Sequence, residues 1–124
     1  MRFGEAPKRF RIDRISRAGN DVRIAARLEG LWFSAAVSIL ASSDELKAAA
    51  MALADLESSG AGHYHWQLTE GSLDLMFAMA KKGELHVTVR MRSAPDYLDE
   101  VSALFELAQA DLPRLGSEIL ALAE

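Results

Sequence analysis

The chain contains no cysteine. Disulfides, thiolate metal sites and cysteine nucleophiles are thereby excluded. It also lacks a long apolar run. The longest, LWFSAAVSILA at 31–41, is eleven residues broken by two serines, short of the ~20 that a helix needs to cross a bilayer. The opening stretch MRFGEAPKRFRIDR has no apolar segment of the signal-peptide kind, so the expected location is the cytoplasm, with no membrane partner. No phosphate-binding loop, dinucleotide fingerprint, nucleophile elbow or H-E-x-x-H motif occurs. No cofactor is expected.

Positive charge is scarce beyond residue 30. Residues 1–30 hold eight basic and four acidic side chains; residues 31–124 hold six and fourteen. An acidic body argues against nucleic acid, whose binding needs a positive footprint. It suits a basic protein partner. Arg9, Arg11, Arg23 and Arg27 form a basic edge on the first strands. Phe10, the one aromatic among them, alternates to the opposite face, so no stacking platform accompanies them. The expectation is that these arginines guard edge strands against unwanted pairing.

What is present is a chain of 124 residues, half of them hydrophobic. That makes a single domain over 1–124 with one sizeable core. The apolar period switches between two and three-to-four. Residues 9–15, 22–28 and 31–41 alternate and are separated by turn signals at AGND (18–21) and Glu29-Gly30, giving three strands. Ser42-Ser-Asp-Glu45 is a capping box and opens a helix over about 43–58, which SSGAG ends. Residues 63–68, 72–80 and 84–92 alternate again. Matching their apolar faces pairs Trp66 with Leu75 and Tyr64 with Phe77 across Glu70-Gly71. The same matching pairs Met79 with Leu85 and Phe77 with Val87 across Lys81-Lys82-Gly83, where Gly83 supplies positive φ. Residues 97–109 fit a helix or a strand, with propensity favouring helix. Asp111 as N-cap and Pro113 in the first turn open a last helix over about 112–123. The expected fold is α+β, with a largely antiparallel sheet of six or seven strands, one helix after the third strand and one closing the chain.

That register fixes the polar face. Asp74 lies between Gln67 and Arg90, predicting an Asp74–Arg90 pair. Ala78 lies between His63 and His86, with His65 next along its strand, so all three histidines share one face. Three imidazoles with an open fourth position can hold zinc. Here His63 and His86 stand two strands apart, roughly 10 Å at the backbone, and no carboxylate is placed to orient them. No metal site and no catalytic residue are therefore expected. A small metal-dependent enzyme built on His63, His65 and His86 is the alternative. Trp32 falls out of phase with Phe33, Ala35 and Val37, making it the interface candidate, with Asp74 and Arg90 as further partner-binding candidates.

Residues 31–124 hold in order an aromatic-containing strand, the helix SSDELKAAAMALADL and a hairpin with EGSLDL (Glu70–Leu75). They continue with ELHVTVRM and an F-x-L strand (Phe105, Leu107) running into D-L-P-x-L. This order of features resembles the WapI-type immunity family and related small bacterial proteins. The resemblance implies that residues 100–108 form a strand. It also implies a non-enzymatic role, binding and neutralising a toxin domain. The partners expected are a basic toxin domain or, for a self-associating module joined through an edge strand, a second copy of the chain.

Overall fold

Eight strands and two helices follow one another in a computed structural model that describes residues 1–68, 71–93 and 99–124. The strands are β1 (Arg2–Glu5), β2 (Lys8–Ala18), β3 (Asp21–Glu29), β4 (Ser34–Ser42), β5 (His63–Gln67), β6 (Leu73–Met79), β7 (Glu84–Arg92) and β8 (Glu100–Ala108). Helix α1 (Ser43–Ser59) separates β4 from β5, and α2 (Leu112–Leu122) closes the chain. The strands form two antiparallel meanders, β1-β2-β3-β4 and β5-β6-β7-β8.

This corrects the expectation of one sheet of six or seven strands with a helix after the third. The α+β class holds. The missed strand is β1, only four residues with a glycine inside it, so the helix follows the fourth strand. The single sheet fails because α1, 17 residues or about 25 Å of helix, carries the chain away from β4. Each meander is a separate open sheet with one apolar face to cover. Those faces cover each other: residues of both sheets and both helices join one core, from Phe10, Ile24 and Ile39 to Leu75, Phe77 and Val89.

The register of the second sheet follows the apolar matching. Trp66 pairs with Leu75, Tyr64 with Phe77, Phe77 with Val87 and Met79 with Leu85. Gly83 takes φ +78° in the connecting turn, and Lys82 also lies in the left-handed region. Glu70, assigned to the other turn and to the EGSLDL motif, lies outside the described residues, as do positions 97 and 98. Residues 100–108 are a strand, paired along its length with β7, which overrides their helical propensity. At α1 the capping box is formed: Ser42 Oγ accepts from the Glu45 amide at 3.0 Å, and Glu45 Oε2 accepts from the Ser42 amide at 3.5 Å. At α2 the Asp111 side chain makes no cap on the helix. It accepts from the Ala108 amide instead, at 3.0 Å.

Tyr64 stacks on Phe77 with ring centroids 6.4 Å apart. Burial pushes its phenol above the ordinary value, and the Glu45 charge acts in the same direction. The folded state thus favours the neutral phenol. The stability this contributes is fully present below the unfolded value near 10 and is lost as pH rises through the folded one. We expect the ultraviolet absorbance of phenolate to show one tyrosine ionising late, and the late step to vanish in Tyr64→Phe. A late step that persists in that variant would assign it to another tyrosine and overturn the expectation.

Candidate partner-binding site

The outward face of the second sheet carries the residues singled out for chemistry. Pairing places His63, Ala78, His86 and Glu106 in one row across the four strands, and His65, Met76, Thr88 and Leu104 in the next. Gln67, Asp74, Arg90 and Ser102 form the third row. The histidines share the face but do not converge. His65 Nε2 leans toward Asp74 Oδ1 at 3.6 Å, whereas His86 Nε2 leans toward Glu84 Oε2 at 3.8 Å. The expectation that no carboxylate stands beside these imidazoles is therefore corrected: a diagonal neighbour on the next strand serves His65, and a residue two along the same strand serves His86. Among the described residues, no group of three or more His, Asp or Glu side chains gathers with metal-binding spacing.

Asp74 is the buried charge of this face, with 5% of its side chain exposed. Its ion-pair partner is Arg92, with Nη1 3.0 Å from Oδ2, and not the predicted Arg90. Arg90 turns to Glu100 at 3.7 Å, and Arg92 reaches Glu100 as well, at 2.9 Å. The Asp74–Arg92 contact is close, but neither carboxylate oxygen has a donor in hydrogen-bonding alignment. It is an ion contact, in which distance rather than angle governs the Coulomb attraction. The Glu100 hydrogen bond, helped by the Asp74 and Glu100 carboxylates, raises the Arg92 pKa against the opposing effect of desolvation. Asp74 and Arg92 thus serve the sheet, and the exposed chemistry of this face is thin.

The strongest surface feature lies elsewhere, in the β3–β4 turn. Strand β4 begins at Ser34, later than the sequence suggested, because the Gly30 amide bonds the Phe33 carbonyl at 2.8 Å. This closes a turn with Leu31 and Trp32 at its tip. Phe33 folds back over Gly30, where a Cβ would lie 2.5 Å from its ring. The out-of-phase position of Trp32 is thereby explained. It is 91% exposed, and Leu31 is 67% exposed.

Three residues further on, within about 10 Å of chain, begins a groove of 430 Å³. It is lined by Ala35 and Val37 of β4, by Met91 and Val101 of the facing sheet, and by the charged residues Arg92, Asp99 and Glu100. The turn and the groove together make an apolar anchor beside a charged rim, in which Glu100 is paired with Arg90 and Arg92. No protein-family model matches the chain, and no curated protein sequence matches it. Among the described residues no helix is long and apolar enough to cross a membrane.

Proposed function

We propose that the protein is a non-catalytic binding domain that captures a basic protein partner, such as a toxin domain, with the Leu31–Trp32 tip and the adjoining groove. The observation that carries this reading is the exposure of Trp32, 91% on a short closed turn. A large apolar pair held out in water by a tight turn stabilises nothing in the isolated chain. Buried against a partner it becomes the kind of aromatic anchor that dominates interfaces. Asp99 at the groove supplies a carboxylate that a basic partner complements. An immunity role of the kind the WapI-type resemblance implies is consistent with this chemistry.

Co-expression with a candidate basic toxin domain tests the reading. The wild-type chain is expected to rescue growth. Trp32→Ala is expected to lose rescue and to weaken binding by about 2 kcal/mol or more. Its stability should change by less than about 0.5 kcal/mol, because the side chain touches little. Full rescue by Trp32→Ala would sink the proposal. So would a dimer in light scattering that this substitution dissolves, since the tip would then serve self-association.

A further inference from the structure

The arginines of the first sheet were expected to guard open strand edges. The sheet order overturns that: β2 and β3 are interior strands, flanked by β1 and β4. Their arginines protect no edge, and their placement is unfavourable. Register puts Arg2 opposite Arg11 and Arg11 opposite Arg27, three like charges abreast on neighbouring strands. Like charges directly opposite destabilise a sheet. Arg9 stands one row along, paired with Gly4 on one side and Glu29 on the other.

We infer that this face of the first sheet is a binding site for a phosphate-class dianion, held by Arg2, Arg9, Arg11 and Arg27. Around it the charges balance incompletely. Glu29 contacts Arg9 at 3.0 Å and Arg27 at 3.7 Å, and Asp13 contacts Arg11 at 3.4 Å. Two carboxylates thus face four guanidinium groups. Among the described residues none pairs with the Arg2 side chain. The positive field is felt locally: the Glu29 carboxyl is held below its ordinary value by the Arg9 hydrogen bond and by the charges of Arg9, Arg27 and Arg11.

The four arginines line a depression of 160 Å³ together with Gly4 and Glu29. Gly4, at φ +85°, lies in its lining between Arg2 and Arg9. Sites for drug-sized ligands run to roughly 300–1,000 Å³, so the space suits one oxyanion group with its water and not a nucleotide. Guanidinium forks match phosphate oxygens two at a time, and a phosphoryl group carries close to two charges at neutral pH. A bound dianion would offset the two surplus positive charges and relieve the repulsion along the row. The source is free phosphate or the phosphoryl group of a small phosphomonoester. The inference concerns the opposite sheet from Asp74 and does not rest on the proposed function.

Amide-resolved NMR titration with inorganic phosphate, chloride-compensated to constant ionic strength, tests it. Saturable shifts are expected at Arg2, Gly4, Arg9, Arg11 and Arg27. Arg11→Gln should weaken binding at least tenfold, while its Tm without phosphate stays equal to that of the wild type or rises, because the middle charge of the row is gone. That rise separates lost binding from lost folding. Lys81→Gln, on the other sheet's turn, should bind as the wild type does. A parallel titration with glycerol phosphate assigns the source. Equal binding points to a phosphomonoester, and exclusion points to free phosphate. Shifts that grow linearly without saturating, or undiminished phosphate binding by Arg11→Gln, would overturn the inference.

Discussion

Replacing Gly4 with alanine is expected to destabilise the protein by about 3 kcal/mol or more, combining left-handed backbone strain with overpacking. Gly4 has φ +85°, and a Cβ there would lie 2.6 Å from the Lys8 carbonyl oxygen and 2.6 Å from the Phe105 ring. The first contact is backbone within the β1–β2 hairpin and cannot swing aside. The second is a buried ring on β8, packed edge-on against Phe3 at 4.9 Å. The substitution therefore strains the hairpin and pushes the two sheets apart at once. Gly19→Ala is the matched control: φ is +62° with no atom within 4 Å of the added Cβ, so backbone strain alone should cost about 1 kcal/mol. Chemical denaturation of both variants measures the difference. Equal losses would mean that β1 does not approach β8.

This contact marks where the sequence stopped being legible. Strand periodicity reports the state of a segment and which side of it is apolar. It does not report which strands pair. The register of β5, β6 and β7 was readable because two independent constraints, apolar faces and turn length, agreed on it. The capping box placed the start of α1 within a residue. By contrast β1 offers a single buried residue, Phe3, in four, too little for alternation to show. Its pairing with β2 depends on the Phe3–Phe10 ring contact at 5.2 Å, which no local pattern reveals. Strand β8 alternates, but only Phe105 is fully buried along it. Leu, Ala and Glu there favour a helix until β7 pairs with it.

The candidate sites divide on similar lines. The gathering of histidines on one face followed from register alone. Ion pairing did not, because arginine is long enough to choose a diagonal partner. Asp74 therefore meets Arg92, while Arg90 meets Glu100. The exposure of Trp32 was signalled by its phase but explained only by the Gly30–Phe33 closure. The arginine row was hidden for a plainer reason. Arg2 belongs to the strand that was not read, and without β1 the arginines of β2 look like an edge.

The buried carboxylate supplies the second large effect. Arg92→Met should lower Tm by on the order of 10 °C, a shift that corresponds to the loss of a major interaction in a domain of this size. Removing one partner of an ion pair costs more than the pair contributes, because the remaining charge stays desolvated. Asp74 is 5% exposed, and its carboxylate oxygens have no aligned hydrogen-bond donor to fall back on. Arg92 also donates to Gly71 at 3.2 Å and to Glu100 at 2.9 Å, so part of any loss belongs to those contacts. A double-mutant cycle with Asp74→Asn separates the two. If the stranded charge dominates, Arg92→Met/Asp74→Asn recovers most of the lost Tm, and the double variant is more stable than Arg92→Met alone. If the Gly71 and Glu100 contacts dominate, adding Asp74→Asn recovers nothing. The pair would then be a surface tie rather than the compensation that lets a carboxylate lie buried in the outer face of the sheet.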